Sequence, residues 1–256
     1  MLAYPISAKP IDYTNKVYIQ PKLDGVRCLI QYDKGKVTAY SRTGKEWKNI
    51  DHILNNLEPW FKNNQLVVLD GELYNHDLRN DFEQIISIVR RQTPDDLDML
   101  NSAEMVQFHC YDIIHPGNDY FDVRNNFIKF CLPESYCVKH VETTQTDEKQ
   151  AHFIHTQNLR RGYEGSIVRL NTPYQQKRSH SLRKFKDFSD AEANIVGYEE
   201  GKGKRAGTLG KFLMQDDDGN QFGCPPGKGH NYKDLALMLQ NVHEYMGQRA
   251  TFTYFE

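Results

Sequence analysis

Lys22-Leu23-Asp24-Gly25-Val26-Arg27 sets an amine, a carboxylate and a guanidinium within six consecutive positions, with a glycine among them. Strand alternation places Lys22 and Asp24 on one face, where two charges suit a polar pocket and not an apolar core. A lysine on a rigid strand, near other cations and partly withdrawn from water, has its neutral amine favoured, and the neutral amine attacks electrophiles. Taken alone, an exposed hairpin end with a solvated charge cluster explains these six residues more simply. Asp70-Gly71-Glu72 closes an apolar strand, a place from which carboxylates reach a sugar hydroxyl or a metal. Glu164-Gly165-Ser166-Ile167-Val168-Arg169 again sets a carboxylate and a glycine ahead of a strand, and Lys184 and Lys186 lie two positions apart on one strand face. Each cluster has a bland explanation in a capped turn or a solvated face. Together they supply a lysine nucleophile, two separated carboxylates and a lysine pair. Those are the parts needed to bind a nucleoside triphosphate with a divalent metal and attack its α-phosphate.

The elements that must position these groups mix α and β. KVYIQPKLDGVRCLIQY and KVTAYSRTG read as neighbouring strands joined at Asp33-Lys34-Gly35, and QLVVLDGELY, MVQFHCYDII, YEGSIVRL and the region of SLRKFKDF as further strands. Phe82, Ile85, Ile86 and Val89 recur at helical spacing, and DEKQAHFIHTQNL opens on acidic residues and stops near Gly162, as a helix does. From about Phe188 the texture changes to short strands divided by Gly- and Asp-rich turns, among them Asp217-Asp218-Gly219-Asn220, which suits a small β-barrel. The boundary is expected near residues 186–190, giving a domain over 1–187 and another over 188–256.

Composition narrows the class. The 256 residues carry 32 Lys+Arg against 34 Asp+Glu, a net charge of −2, so attraction to nucleic acid must come from local patches. With 39% hydrophobic and 26% charged residues the chain reads as globular, and no apolar run reaches membrane length or forms a signal peptide. Cys28, Cys110, Cys131, Cys137 and Cys224 are an odd set without a CxxC pair, expected as free thiols in a reducing compartment. His109, Cys110 and His115 lack metal-ligand spacing, and His140, His152 and His155 are expected on the surface or in packing.

In order along the chain, KLDGVR, SRTG, LDGELY, FHCYDII, EGSIVR and LRKFKDF resemble the motifs of the covalent nucleotidyltransferase superfamily. Within it the sequence is most similar to small ATP-dependent DNA ligases of phage and bacterial type, from about residue 18 to about residue 213, including FKDFSDAEANIVGYEEGKGKRAGTLGKF. The resemblance implies an α+β, ATP-grasp-like nucleotidyltransferase domain of antiparallel sheets with flanking helices, followed by a small OB-fold β-barrel. It implies that Lys22 takes AMP through a phosphoramidate bond and that Gln20, more often Glu in the family, reads the adenine edge. Arg27 would hold the ribose or the nick end, and Arg42 the 5′-phosphate side of the nick. Glu72 would bind the ribose hydroxyl, and Tyr111, more often Phe, would stack on adenine. Glu164 would position Mg²⁺, with Glu72 as a second candidate ligand, and Lys184 and Lys186 would touch the α-phosphate as pyrophosphate leaves. Lys202, Lys204, Arg205 and Lys211 among glycines would face DNA, although a solvated turn explains them too.

The implied activity is sealing of nicks in double-stranded DNA by a cytoplasmic monomer of phage or bacterial origin, with ATP and Mg²⁺. The resemblance also implies a basic segment after a TFTYFE-like strand, whereas the sequence ends at Glu256, so the second domain is expected to be short. An RNA ligase or GTP-dependent RNA guanylyltransferase shares the KxDGxR chemistry, and an inactive nucleic-acid-binding relative would share the fold. The SRTG and DAEANIVGY elements favour DNA ligase.

Overall fold

A computed structural model describes residues 1–117, 119–187, 189–227 and 229–254. The chain forms two compact units, Met1–Lys186 and Asp187–Glu256. The expected domain boundary falls on Phe188, which lies outside the described residues, as do the last two residues of the expected final strand.

In the first unit the chain runs β1 (Leu2–Pro5), β2 (Val17–Pro21), β3 (Val26–Asp33), β4 (Lys36–Tyr40), α1 (Asp51–Phe61), β5 (Val68–Tyr74), α2 (Phe82–Val89), α3 (Asp96–Met105), β6 (Gln107–Ile114), α4 (Phe121–Cys131), β7 (Val138–His140), β8 (Thr144–Thr146), α5 (Glu148–Arg160), β9 (Ser166–Leu170) and β10 (Arg178–Phe185). Two five-stranded sheets result, ordered β1-β10-β9-β2-β8 and β4-β3-β5-β6-β7. The expected antiparallel sheets are in fact mixed: β1 runs parallel to β10 and β7 parallel to β6. In each case the parallel strand is an edge strand, brought in by a segment whose sequence carries little strand signal.

Local sequence accounts for most elements. Lys34 and Gly35 both take positive φ, 49° and 87°, the geometry of a tight hairpin turn between β3 and β4. Asp147 caps α5 by accepting from the Gln150 amide, and Gly162 ends it at φ 83°. Asp95 and Asp98 form a reciprocal capping box on α3. Ile85 and Val89 bury the inner face of α2.

The stretch 17–33 is not one strand. β2 ends at Pro21, which has no amide to donate, and β3 begins at Val26 in the other sheet. Lys22 and Asp24 therefore lie in the segment passing between the sheets, not at alternate strand positions. Likewise Asp70-Gly71-Glu72 sits in the middle of β5, not at its end, and Lys186 lies just past the end of β10.

Two cores fill this unit. Cys28, Ile30, Leu69, Leu73, Phe108 and Ile113 pack against α1 and its neighbours behind one sheet. Val17, Ile19, Val168 and Phe185 pack against Ala151 of α5 behind the other. Both cores take alternate residues of their strands, so the intervening residues face the other way.

The second unit contains β11 (Ser189–Glu200), β12 (Leu209–Gln215), β13 (Gln221–Cys224), α6 (Tyr232–Gln240) and β14 (Arg249–Tyr254). Its strands form one antiparallel sheet ordered β13-β12-β11-β14. Ala193, Ile195, Leu209, Phe212, Met214 and Val242 make its core. Where a closed barrel was expected, the described residues form this open four-stranded sheet.

Candidate active site

The residues left over by the two cores of the first unit line a cavity of about 320 Å³. One sheet contributes Gln20, Ile167, Arg169, Leu182 and Lys184; the other contributes Arg27, Asp70, Glu72 and Tyr111; Lys22 comes from the connection between the sheets.

Lys22 is fixed at both ends. Its amide donates to the Gly165 carbonyl at 2.9 Å, continuing the β2–β9 ladder by one residue. Its amine meets Oε2 of Glu164, whose Oε1 is taken by Lys186. Gly165 makes this approach possible: its φ is 143°, and a Cβ there would collide with the Phe185 carbonyl. Gly25 serves the same end, since a Cβ would fall 2.6 Å from Cγ of Glu72. Burial lowers the Lys186 ammonium below its ordinary range, against the opposing pull of Asp24.

On the facing sheet, Arg27 and Asp70 form a two-pronged ion pair, Nε to Oδ1 and NH2 to Oδ2, each at 2.9 Å. Tyr174 donates to the same Asp70 carboxylate at 2.6 Å. Beside this saturated carboxylate, Glu72 is pushed up to about 8 by burial and by the Asp70 charge, with Tyr111 and Arg27 pulling the other way. The shift favours the protonated form of Glu72 toward neutral pH, and in that form it donates as well as accepts.

Tyr111 reaches the cavity through an irregularity. Cys110 and Ile113 both belong to the apolar core although three positions apart, which strict alternation forbids. The ladder to β5 slips between Asp70 and Gly71, pairing Asp70 with Asp112 and Gly71 with Cys110. Tyr111 is the extra residue of this bulge, so it and Asp112 both turn away from the core. Asp112, fully buried, then accepts from Arg124 Nε at 2.8 Å and Arg169 NH1 at 2.7 Å. The Arg169 guanidinium lies 5.3 Å from the Tyr111 ring centre.

The structure thus gathers Lys22, Gln20, Arg27, Glu72, Tyr111, Lys184 and, at the rim, the exposed Arg42 around one cavity, with Glu164 and Lys186 bound to Lys22 or its partner. Asp70 and Arg169 also line it, with Asp112 and Tyr174 bonded behind them; the sequence points to Asp70 within Asp70-Gly71-Glu72 and assigns no role to the other three. Arg169 and Asp112 stand inside or beside the motifs already noted, whereas Tyr174 carries no sequence signal. Lys202, Lys204 and Arg205 are exposed in the β11–β12 loop, and Lys211 lies on β12 paired with Glu199 at 3.0 Å. The histidines set aside are engaged elsewhere: His155 stacks on Phe185 at 3.7 Å, and burial pushes His109 down to about 4, beside Gln107.

Comparison with known proteins agrees with this geometry. The family model for the ATP dependent DNA ligase domain matches residues 1–186. A DNA ligase of African swine fever virus is 30% identical over 263 residues, covering 93% of this chain and 59% of its own. A DNA ligase of Halobacterium salinarum is 27% identical over 225 residues, covering 81% and 39%. The chain therefore spans roughly two fifths to three fifths of the length of these relatives. Among solved structures, a Lig E DNA ligase described as binding DNA with a minimal scaffold matches at TM-score 0.76 and 25% identity, covering 100% of this chain and 91% of that one. The bacteriophage T7 ATP-dependent DNA ligase, solved with ATP, shares the fold at TM-score 0.56 and 17% identity. With the lysine, the carboxylates and the Tyr111 ring assembled around one cavity by the two sheets that the family model spans, the chain belongs to the ATP-dependent DNA ligase domain family.

Proposed function

We propose that the chain seals 5′-phosphate/3′-hydroxyl nicks in duplex DNA through a covalent lysyl-AMP intermediate. The observation that carries this reading is Lys22, held by Glu164 at a cavity whose other walls offer an aromatic ring, a protonated carboxyl and two further cations. Lys22 gives up its ammonium proton, with Glu164 the nearest acceptor, and the neutral amine attacks the α-phosphorus of ATP; an N–P bond forms, the P–O bond to pyrophosphate breaks, and the nitrogen sheds a second proton to solvent. Lys184 and Lys186 meet the charge that develops on the phosphate oxygens. Tyr111 stacks on adenine, Gln20 reads its edge and Glu72 binds the ribose hydroxyl. AMP then passes to the 5′-phosphate of a nick near Arg42 and Arg27, and the 3′-hydroxyl displaces it.

Among the described residues no three His, Cys, Asp or Glu side chains gather as a metal cage. Glu164 beside Lys22 fits a Mg²⁺ ion held mainly by substrate phosphates, whereas the protonated Glu72 suits the ribose better than a metal. When bound, Mg²⁺ supplies charge neutralisation at the phosphates.

We assign residues 1–187 to an adenylyltransferase domain and 188–256 to an OB-fold domain, because three strands, a helix and a strand follow one another as in that fold. The β11–β12 loop supplies its DNA contacts. A monomer acting in DNA repair, replication or recombination in a reducing cytoplasm is consistent with five free cysteines, and no helix among the described residues is long and apolar enough to cross a membrane.

The test is incubation with ATP labelled on the α-phosphate and Mg²⁺, then with nicked duplex. An acid-labile protein adduct that transfers its label to the 5′-end and disappears on sealing is expected. Preference for GTP, or sealing of RNA alone, would install the guanylyltransferase or RNA-ligase reading; no adduct at all would leave a binding protein.

A further inference from the structure

Gln20 is 2% exposed and its carboxamide is bonded on three sides. Nε2 donates to the Tyr111 carbonyl at 3.2 Å and to Thr143 Oγ1 at 2.8 Å. Thr143 spends its own hydrogen on the Val141 carbonyl at 3.0 Å, so toward Gln20 it can only accept. Oε1 accepts from Arg169 Nε at 2.6 Å. A turned-over amide would set N–H against N–H at Arg169 and oxygen against oxygen at Tyr111. Both hydrogens of Nε2 are thereby committed to protein acceptors, so what Gln20 has left to offer a ligand is the second lone pair of Oε1.

Arg169 is itself immobilised. It is 4% exposed, NH1 bonds Asp112 at 2.7 Å, and its guanidinium lies 5.3 Å from the Tyr111 ring centre and 5.0 Å from that of Phe121. Asp112 is held in turn by Arg124 at 2.8 Å.

We propose that Arg169, supported by Thr143, is a positioning residue that sets purine selectivity by locking the Gln20 carboxamide as a hydrogen-bond acceptor. The inference rests on the nucleotidyltransferase reading above and adds a selectivity device to it. A free carboxamide presents either an acceptor or a donor, and so does not distinguish the 6-amine of adenine from the 6-carbonyl of guanine or hypoxanthine. Locked by Arg169, Gln20 acts as a carboxylate would: it accepts from the amine and opposes the carbonyl with a second buried acceptor.

The test compares the rate of covalent adduct formation from ATP and from inosine triphosphate, which carries a carbonyl oxygen in place of the adenine amine. The wild type should prefer ATP by at least about tenfold. Arg169→Met should bring the two nucleotides to within about threefold of each other, while Arg169→Lys, which keeps a donor, should retain more of the preference. Thr143→Val should lose part of it, and decides the matter if Arg169→Met does not fold. An ATP to inosine triphosphate ratio unchanged in the variants, even with both rates depressed, would overturn the inference and leave Arg169 a packing residue. Equal loss in the Lys and Met variants would overturn it as well. Absence of adduct from the wild type with either nucleotide would overturn the nucleotidyltransferase reading itself, and with it this selectivity device.

Discussion

Lys22 and Lys186 share one carboxylate, each ammonium taking a different oxygen of Glu164. The three side chains are all less than a quarter exposed, so the arrangement holds two cations close with one anion between them. The triphosphate of the proposed reaction would supply the missing negative charge, which gives the arrangement an electrostatic use.

Lys22→Ala should abolish the protein–AMP adduct, because no other amine described here combines its place in the cavity with the Glu164 contact. Glu164→Gln should keep the nucleophile but lose its ionic hold. Adduct formation in single turnover should slow by about tenfold or more, with a smaller change in nucleotide affinity. An adduct that persists in Lys22→Ala would show that the wrong nucleophile has been named.

Glu72 should make stability fall as pH rises. Its folded value of about 8 lies above the ordinary 4.5, so between those values the folded protein holds a proton that the unfolded chain has released. Stability is greatest below the lower value and declines through this window. Glu72→Gln, which mimics the protonated acid, should flatten the slope of thermal midpoint against pH between about 4.5 and 8. Equal slopes for the two proteins would rule out this proton.

Asp70→Ala leaves Arg27 without its two-pronged partner and Tyr174 without its acceptor. A loss of about 3 kcal/mol is expected in chemical denaturation of the whole chain. The Arg27→Ala, Asp70→Ala double variant should lose less than the sum of the single losses.

Replacing Lys202, Lys204 and Arg205 together should reduce the salt slope of duplex binding by up to about 2.7, near 0.9 for each phosphate contact removed. Lys211, already opposite Glu199, should change the slope less than any one of the three. Fluorescence anisotropy over a salt series measures both, and an unchanged slope in the triple variant would return the loop to a solvated turn.

Much of this site was legible in the sequence because its groups sit in short runs where glycine and charge interrupt apolar strands. KLDGVR, LDGELY and EGSIVR each named the right neighbourhood. Periodicity gave α2, α5 and the β3–β4 hairpin, since local spacing and turn chemistry decide those elements. Helices α1, α3, α4 and α6 went unread, although α3 and α6 open on capping boxes; tertiary pairing decided the rest of what periodicity missed. The edge strands β1 and β7 are defined by partners distant in sequence, and Lys22 reads as a strand residue until the chain crosses between sheets at Pro21–Gly25. Arg169 and Asp112 look like ordinary strand polar residues, and only the facing sheets reveal that they buttress Gln20 and Tyr111. Tyr174 reaches Asp70 from a segment without regular structure, where no pattern announces it.

The slip in the β5–β6 ladder makes strand length, as well as residue identity, a condition of function. Trimming one amino acid from the Tyr111–Asp112 step would restore a regular ladder and could leave the backbone sound. It would also leave a single cavity-facing position where the bulge provides two, so either the Tyr111 ring or the Asp112 anchor of Arg124 and Arg169 would be lost. The extra residue is thus what lets one short stretch of β6 present a ring and a carboxylate on the same side, and any redesign there should keep the spacing of this strand.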